Sequence, residues 1–335
     1  MLKIEKPGLQ TTVQDLGRPG FQQYGVVAGG AMDPYSHRVA NLLVGNSETC
    51  ATVEAALAGP SIRFEADSLI ALAGGDLSPS IEGERVPMWR PVAVRSGSVL
   101  DFGKPAAGCR VYVAVAGGID VAEVMGSRST YTKARIGGLD GRCLEEGDRL
   151  PAGAPSAHAK QWAEKALSGA DGRKFSAADW SVSDDLIPRY RNEAEIRMMK
   201  GPQHHWFSEK SRNAFFGGTF TVSSESDRMG YRLKGDTLRL SEPRELLSEG
   251  VVAGAVQVPS GGNPILLMAD RQTTGGYPKI GQATTVDLPL IAQMQPGAKL
   301  RFTEVSVEAA QQLLMQQKKE LAELKLAIEL KMKGV

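Results

Sequence analysis

The stretch that decides the fold is Arg110-Val111-Tyr112-Val113-Ala114-Val115-Ala116, which the pair Gly117-Gly118 closes. The run is short and rich in β-branched residues, and a glycine pair bounds it, so it has the marks of a strand rather than a helix. With 38 glycines and 18 prolines in 335 residues, the chain is punctuated by turns, and we predict a mainly β protein. Similar strand-like runs recur along the chain at residues 61–64, 69–73, 220–222 and 264–269.

Composition excludes several classes of function. The chain carries 39 basic and 38 acidic residues, and this balance gives no sign of a nucleic-acid footprint or a membrane-surface protein. No apolar run reaches the roughly 18 residues that a spanning helix needs. The segment Met1–Glu5 begins directly in a strand-like pattern without a signal sequence, so we expect a cytoplasmic protein. The three cysteines stand far apart without CxxC spacing, which argues against a disulfide framework or a zinc site.

The length suits two domains of about 100 to 200 residues each. Residues 151–187 break the strand pattern with a Pro- and Ala-rich segment and a short helical stretch, so we expect a linker or surface excursion there. The halves on either side share an order of features, which suggests a duplicated β unit. We therefore predict four segments with these boundaries: a first domain at 1–150, the linker at 151–187, a second domain at 188–305 and a C-terminal helix at 306–335.

Two helices are predicted from their end signals and apolar spacing. Asp33 followed by Pro34 is a good helix start, and Gly45-Asn46 supplies the stop. From Val307 onward the chain lacks proline, and it lacks glycine until Gly334, while apolar residues recur at spacings that indicate an amphipathic helix. This helix either packs on its own domain or contacts a partner protein. The apolar stripe consists of Leu314, Leu321, Leu324 and Ile328.

The common catalytic signatures are absent from the sequence. It contains no GxxxxGK[ST] loop, no HExxH and no GxSxG. His204 and His205 are adjacent, so they cannot share one helix face as metal ligands, and we predict no metal site. The sequence Met198-Met199-Lys200 comes close to the Met-Lys-Met of a biotin carrier, as does Lys331-Met332-Lys333, but neither sits in a hairpin between two strands. We therefore predict that biotin is not attached to this chain.

Three polar, glycine-rich loops remain as candidate sites: Thr11–Gly20, Gly29–Pro34 and Ala269–Lys279. Glycines let backbone N–H groups approach a ligand closely and stabilise an oxyanion or hold a planar amide. The loops also carry carboxylates that accept a proton, and cations that bind a carboxylate or phosphate. The alternative is ordinary turn chemistry, because Asp, Gly, Thr and Pro are the residues of tight turns. The charged candidates are Asp15, Asp33, Asp270, Arg18, Arg128, Arg271 and Lys279.

At these loops the sequence resembles a known family, that of the 5-oxoprolinase C component. This family also contains the antagonist of a sporulation-kinase inhibitor and the protein called allophanate hydrolase subunit 2, and the sequence is similar as well to the carboxyltransferase part of urea carboxylase. The resemblance covers roughly residues 1–150 and 195–303, and it rests on blocks that keep their order. The blocks are Gly8–Arg18, Gly30–Asn46, Ala114–Val121 with Gly126–Tyr131, Ser226–Leu233, and Ser248–Pro259 with Asp270–Ile280.

The resemblance implies two tandem cyclophilin-like β-barrels with a ligand cleft between them. It also implies the C component of an ATP-dependent 5-oxoprolinase, which opens 5-oxo-L-proline to L-glutamate together with A and B subunits. Two alternatives share the resemblance. One is a biotin-dependent carboxyltransferase component that acts on urea or a related amide. The other is a non-enzymatic antagonist of a histidine-kinase inhibitor, acting by binding a B-type subunit.

The family reaction also implies roles for the loop residues. ATP acts in the complex, and this chain, which lacks a phosphate-binding loop, leaves open whether the nucleotide binds here or on a partner. Asp270, Lys279 and Asp15 are expected to be catalytic. The residues expected to bind the substrate are Arg18, Gly29, Gly30, Met32, Asp33, Arg128, Arg271, Thr274, Gly275, Gly276 and Tyr277.

Overall fold

The strand predicted around Val113 spans Ala107–Val115 and lies inside a six-stranded sheet. It belongs to the first of two compact units in the computed structural model, which describes residues 1–334. The first unit comprises Met1–Arg18, Asp33–Pro188 and the end of the chain from Lys319, and the second comprises Pro19–Met32 and Arg189–Lys318. The chain is mainly β, as predicted.

The strands of the first unit are β1 (Leu2–Lys6), β2 (Gln10–Gln14), β3 (Thr52–Ala56), β4 (Ser61–Phe64), β5 (Ser68–Asp76), β6 (Ser80–Ile81), β7 (Glu84–Arg85), β8 (Pro91–Val94), β9 (Val99–Asp101), β10 (Ala107–Val115), β11 (Arg149–Leu150) and β12 (Phe175–Ala177). The strands of the second unit are β13 (Glu193–Lys200), β14 (Thr219–Val222), β15 (Gly230–Lys234), β16 (Glu249–Gly250), β17 (Ala255–Gln257), β18 (Ile265–Leu267), β19 (Thr274–Gly275), β20 (Lys279–Ala283) and β21 (Lys299–Glu304).

The α-helices are α1 (Pro34–Leu43), α2 (Ala157–Ser168), α3 (Glu209–Gly217), α4 (Leu288–Ala292) and α5 (Val307–Lys333). Short 3₁₀ turns occur at Gln22–Tyr24, Thr132–Ala134, His204–Trp206 and Thr285–Asp287. Within residues 1–334, every helix is too short or too polar to traverse a lipid bilayer.

The first unit contains two six-stranded sheets, with strand orders β11-β1-β4-β9-β6-β7 and β12-β8-β5-β10-β3-β2. Apolar side chains from both sheets form one core, in which Ile4 and Phe64 of the first sheet join Val53 and Val113 of the second. The hydrogen-bonded ladders thus form two separate sheets here, whereas a single barrel was expected from the resemblance. The core between the sheets is nevertheless continuous, as in a sandwich.

The continuous apolar run of β10 reflects burial on both of its faces. Val111, Val113 and Val115 point into the core between the sheets, and the opposite face packs against α1. Helix α1 starts as predicted, because the Asp33 carboxylate accepts a hydrogen bond from the backbone N–H of Ser36 and Pro34 occupies the first helical position.

Residues 151–187, expected as a linker or surface excursion, pack on the first unit. Strand β12 pairs with β8, and α2 buries Ala159, Ala163 and Leu167. The apolar face of α2 explains this packing, because a helix with such a stripe gains free energy by covering a sheet. The first unit therefore extends to Pro188, beyond the expected boundary at residue 150.

The second unit is built on a closed seven-stranded barrel in the order β13-β20-β17-β18-β15-β14-β21, which β13 and β21 close as a parallel pair. Three phenylalanines, Phe215, Phe220 and Phe302, stack in its interior with ring centroids 4.8 to 6.3 Å apart. The early segment Pro19–Met32 also belongs to this unit, although it was expected in the first domain, because Met32 lies in the barrel core. A barrel of this kind leaves no unpaired sheet edge.

A two-stranded ribbon formed by β16 and β19 lies outside this barrel. Val251, just beyond β16, packs with Ala255 and Leu267 of the barrel wall in a small apolar cluster separate from the interior core. The ribbon therefore covers part of the outer barrel face.

The C-terminal helix α5 is present as predicted, and its residues from Lys319 onward belong to the first unit. Leu321 and Ile328 of the predicted stripe are buried, as is Met332, whereas Leu314 and Leu324 are only half-buried. Ile328 and Met332 lie beside the end of α1, where they line a small cavity with Leu42. The helix thus packs on its own chain through the last part of the stripe.

His37 of α1 gives the first unit a pH-dependent stability. Burial lowers the pKa of this fully buried imidazole to about 4. Its Nδ1 lies 3.0 Å from Thr52 Oγ1, and its Nε2 lies 3.4 Å from the side-chain nitrogen of Asn41, an arrangement that suits the neutral ring. Because the folded pKa lies below the unfolded value of 6.5, the unfolded chain binds more protons between pH 6.5 and 4.

We therefore expect the free energy of unfolding to fall by up to about 3 kcal/mol between pH 6.5 and 4 on account of His37. In His37→Gln, which has no ionisable group here, this part of the pH dependence should vanish. Urea denaturation of both proteins at several pH values between 7.5 and 4 measures the difference, and parallel pH profiles would show that His37 contributes nothing.

Candidate functional site

Asp15, expected to be catalytic, is the centre of a hydrogen-bond cluster in the first unit. Its carboxylate accepts from Ser127 Oγ at 2.7 Å, from Ser129 Oγ at 2.6 Å and from the backbone N–H groups of Arg128 and Gly17 at 2.6 and 2.8 Å. Asp15 is 7% exposed. Four donors occupy this carboxylate, so the geometry favours a structural role in which Asp15 anchors residues 127–129.

Two arginines expected to bind substrate complete this cluster. Arg18 is 1% exposed, and it donates to the carbonyl oxygens of Val124 and Ser129. Arg128 donates to the carbonyl oxygen of Val121 and forms ion pairs with Asp120 and Glu123. Both guanidinium groups therefore already serve the loop that Asp15 anchors.

Asp33 is the N-cap of α1 and joins a second buried network. Its side chain accepts from the backbone N–H and the hydroxyl of Ser36 at 2.9 and 2.7 Å. Its own backbone N–H donates to the Tyr112 hydroxyl, which in turn donates to Glu54 Oε2, each at 2.8 Å. Asp33 thus fixes the start of α1 on the sheet through Tyr112.

In the second unit, Asp270 forms a buried bidentate pair with Arg228. Arg228 Nε and Nη2 lie 2.8 and 3.0 Å from the two carboxylate oxygens. Arg228 Nη2 also donates to the carbonyl oxygen of Gly30 at 2.6 Å. The pair therefore connects two predicted site segments of this unit, the loop at Gly29–Met32 and the loop that begins at Asp270. Asp270 therefore helps to position both loops.

Lys279 lies at the start of β20 and is 6% exposed. Its Nζ forms an ion pair with Glu249 of β16, and this hydrogen bond lowers the pKa of Glu249. Glu249 also accepts from Gln203 Nε2 at 2.9 Å, while Gln203 Oε1 accepts from the backbone N–H of Lys279 at 3.1 Å. The ribbon strand β16 is therefore fastened to the barrel through Lys279.

Thr274 and Gly275 form the other ribbon strand, β19, in which Gly275 pairs with Glu249. A Cβ atom on Gly275 would lie 2.5 Å from Gln257 Nε2, so a larger residue at this position would push the Gln257 side chain aside. Gln272 Nε2 donates to Gln257 Oε1 at 3.2 Å. The ribbon thus brings the predicted residues Lys279, Thr274 and Gly275 together over Gln257.

Four side chains around Lys279 were not predicted as site residues from the sequence. They are Gln203, Glu249, Gln257 and Gln272. Glu249 and Gln257 lie within a matched block, and the alternation on β17 was a usable signal for Gln257, because it is polar between Val256 and Val258 of the barrel core. No local pattern marks Gln203, which reaches the site only through the tertiary structure.

Arg271, expected to bind substrate, differs from the other arginines of the site. Its guanidinium makes only long contacts of 3.4 to 3.5 Å with the carbonyl oxygens of Val251, Met268 and Ala269. Within residues 1–334, no carboxylate lies within ion-pairing distance of this group. Burial lowers the pKa of Arg271, because the half-buried charge has lost part of its hydration. The nearby charge of Asp270, whose carboxylate is bonded to Arg228, offsets this effect only in part, so a carboxylate ligand would add a direct counter-charge.

Gly276 and Tyr277 line a groove of about 840 Å³ in the second unit. Leu246, Pro259 and other apolar residues form much of its wall, and Arg239 and Arg244 lie along it. Tyr277 is half-exposed at 49%, and Arg244 stacks on Trp206 at 5.4 Å from the ring centroid. A groove with apolar walls and a few cations suits a small anionic ligand.

The structure therefore distributes the predicted residues over two clusters. Asp15, Arg18, Asp33 and Arg128 belong to the first unit, where each is engaged in holding loops or α1. The remaining predicted residues belong to the second unit. There, a paired lysine, a half-buried arginine and buried amides around the ribbon can recognise a small molecule that carries a carboxylate and an amide.

The fold and the order of these loops define a carboxyltransferase-type protein. The family model of the carboxyltransferase domain, subdomain A and B, matches residues 24–304, and the chain belongs to this family. The resemblance expected from the sequence is thus confirmed.

Among curated relatives, the 5-oxoprolinase C component of Escherichia coli is 41% identical over 311 residues, which cover 92% of this chain and 93% of the relative. The protein of the same name from Haemophilus influenzae is 34% identical over 314 residues, which cover 93% of this chain and 94% of that relative. The urea amidolyase of Saccharomyces cerevisiae is 31% identical over 93% of this chain, but the match spans only 17% of that longer protein.

Solved structures lead to the same fold. The crystal structure of the Kluyveromyces lactis urea carboxylase matches 96% of this chain with a TM-score of 0.86 and 28% identity. This chain spans 29% of that longer chain. The fold therefore occurs both in relatives of about this length and as part of a larger enzyme.

The Asp15 cluster generates a stability prediction. Asp15→Ala removes the carboxylate that accepts hydrogen bonds from four donors. The hydroxyls of Ser127 and Ser129, two of these donors, are buried and would be left without this acceptor. We therefore expect the free energy of unfolding to fall by about 3 kcal/mol. Asp67, an exposed aspartate that accepts one backbone hydrogen bond from Ser96, is the matched control, and Asp67→Ala should cost about 1 kcal/mol. Equal losses on urea denaturation would contradict the anchoring role.

Proposed function

We propose that this chain is the C component of an ATP-dependent 5-oxoprolinase, which opens 5-oxo-L-proline to L-glutamate together with A and B subunits. The near full-length identity with relatives of that name supports the proposal. The structural observation that carries it is the half-buried Arg271, whose guanidinium forms no ion pair within residues 1–334, since 5-oxoproline presents a carboxylate beside its lactam and urea does not.

The chemistry explains why such a reaction needs ATP and a shielded site. A lactam carbonyl is a poor electrophile. Transfer of the terminal phosphoryl group of ATP to the carbonyl oxygen, with release of ADP, would activate the carbonyl carbon for attack by water. In our proposal, Arg271 binds the substrate carboxylate, while Lys279 offers positive charge to the oxygen that becomes anionic. Asp270 acts indirectly, because it holds Arg228 and, through Arg228, the Gly30 loop. Nucleotide binding and hydrolysis are properties that we assign to the assembled complex.

A second function is favoured by the urea carboxylase structure, which this chain matches with a TM-score of 0.86. In this alternative the same site receives a carboxyl group from carboxybiotin and transfers it to an amide. Assays of the reconstituted complex with 5-oxoproline and ATP, and separately with urea and carboxybiotin, decide between the two functions. If this chain, combined with its A and B subunits, turns over neither substrate, the non-enzymatic role as a binding antagonist gains support.

Replacing Arg271 tests the proposed substrate contact. In Arg271→Ala we expect the KM for 5-oxoproline to rise roughly 100-fold, because a desolvated ion pair with the carboxylate is lost. The melting temperature should change little, since this half-buried guanidinium forms no ion pair and makes only long hydrogen bonds in the free chain. Arg301→Ala, at an exposed arginine of the same barrel, should leave both values unchanged. An unaltered KM in Arg271→Ala would remove Arg271 from the substrate site.

The roles proposed for Lys279 and Asp270 are tested by measuring turnover in variants of each residue. Lys279→Ala and Asp270→Ala should each abolish ATP-dependent glutamate formation by the reconstituted complex. Asp270→Ala also leaves Arg228 buried without its carboxylate, so its melting temperature should fall, and Asp270→Asn keeps the shape of the side chain as a second variant. Normal rates in folded Lys279→Ala would exclude the proposed role of Lys279.

A further inference from the structure

The outer barrel face beneath the ribbon β16–β19 is unusually polar for a covered surface. Val256 and Val258 point into the barrel core, so Gln257 between them points outward. Gln257 is nevertheless only 1% exposed, because Gly275 and Gln272 lie over it. Gln257 is the partner of Lys279 on the neighbouring strand, just past a register shift in the ladder, and Ile280, which follows Lys279, points into the core as Val256 and Val258 do. The two side chains therefore lie side by side under the ribbon.

The polar groups around Gln257 have partners. Lys279 is bonded to Glu249, Glu249 accepts from Gln203, and Gln203 accepts from the backbone of Lys279. Gln257 Oε1 accepts from Gln272. Gln257 Nε2, by contrast, finds no hydrogen-bond acceptor anywhere in residues 1–334. A buried amide donor that is left without an acceptor destabilises the fold, so a ligand that supplies an acceptor here would remove this cost.

The surroundings indicate what kind of acceptor is missing. The amide lies beside the cationic Lys279, and Glu249 and Gln203 already occupy one side of that lysine. An acceptor that carries developing negative charge suits such a place better than a cation or an apolar group. Carbonyl oxygens of amides, lactams and ureas have this character. The lining of the Gly276–Tyr277 groove includes Val258 and Pro278, which are the chain neighbours of Gln257 and Lys279.

The cover over Gln257 is slight. Each ribbon strand contains two residues, and Thr274 is exposed. The apolar contacts beneath the ribbon involve the small cluster of Val251, Ala255 and Leu267, with Ile265 beside it. The ion pair of Lys279 with Glu249 holds β16 on the barrel, so the two-residue strand β19 is the part of the ribbon that can move away from Gln257 at little cost in free energy.

We propose that Gln257 is a specificity-determining residue whose Nε2 donates a hydrogen bond to the carbonyl oxygen of the amide or lactam ligand. The ligand enters from the Gly276–Tyr277 groove by displacing Gly275 and its strand β19 from the Gln257 amide, while β16 stays bonded to Lys279. In the free chain the donor is unsatisfied, and the ligand carbonyl satisfies it on binding. This inference rests on the proposed function for the identity of the ligand, 5-oxoproline, but the donor role applies to any amide bound at this site.

The test replaces Gln257 by methionine, which has a similar size and no hydrogen-bonding amide. In Gln257→Met we expect the affinity for 5-oxoproline to fall at least about tenfold, because a buried hydrogen bond to the ligand is lost. The melting temperature of the free chain should change little, since removal of the unsatisfied donor offsets the loss of the hydrogen bond from Gln272. Titration calorimetry on the full chain and the KM of the reconstituted complex measure the affinity, and thermal unfolding measures the stability.

Gln282 provides the matched control on the neighbouring strand. Its Nε2 donates to the carbonyl oxygens of Ala253 and Ala283 at 2.8 and 3.2 Å, so this amide is already satisfied. Gln282→Met should therefore lower the melting temperature and leave the affinity for 5-oxoproline unchanged. The reverse pattern in the two variants, with Gln257→Met destabilised and its affinity normal, would mean that Gln257 has a structural role, and it would overturn the proposal.

Binding of urea and 2-imidazolidinone separates this inference from the proposed function. If the wild-type complex hydrolyses 5-oxoproline and Gln257→Met does so with an unchanged KM, the donor role is wrong and the function stands. If 5-oxoproline is neither bound nor hydrolysed, but urea or 2-imidazolidinone binds in a way that depends on Gln257, the function is wrong and the donor role stands. If none of the three probes binds to the chain or to the complex, the donor role is overturned.

Discussion

The bidentate pair between Arg228 and Asp270 is the interaction on which the second unit's site depends. Asp270 comes directly before Arg271 and the loop that forms the ribbon strand β19, and Arg228 also holds the carbonyl oxygen of Gly30. Two distant stretches of sequence, Pro19–Met32 and the Asp270 loop, are thereby fixed within one unit. Both charges are buried, so the loss of one partner leaves the other desolvated and unpaired, and such a pair keeps its geometry strictly.

The acidic residues of the glycine-rich loops share one structural role. Asp15 gathers four donors, Asp33 caps α1, and Asp270 neutralises Arg228. In each case the carboxylate satisfies N–H or O–H groups that the turning backbone cannot pair in a regular ladder. Loops that must hold an unusual shape under burial need such acceptors. The charged groups that remain for a ligand are mainly cationic, which agrees with an anionic substrate.

Lys279 and Arg271, two cations of the same loop, differ in how far their charges are compensated. Lys279 is paired with Glu249 and fastened by Gln203, so its position is fixed while its charge is partly offset. Arg271 lies among carbonyl oxygens at long distance, so its charge is less compensated. In the proposed function, a ligand carboxylate would therefore gain more from Arg271, and Lys279 and Gln257 would be left for the neutral amide end of the same molecule.

The sequence by itself determined the mainly β class, the family, the start of α1 at Asp33-Pro34 and the C-terminal helix, because these depend on local alternation, capping and apolar spacing. It also indicated the loop that carries Lys279, Arg271 and Gly275. Only the tertiary structure decided that Pro19–Met32 belongs to the second unit, that residues 151–187 pack on the first, and that Asp15 is surrounded by donors. The same holds for Gln257. Its Nε2 is buried without an acceptor because Gly275 and Gln272, from another part of the chain, cover it. Burial and hydrogen-bond satisfaction are sums over residues far apart in sequence, so no local pattern can state them.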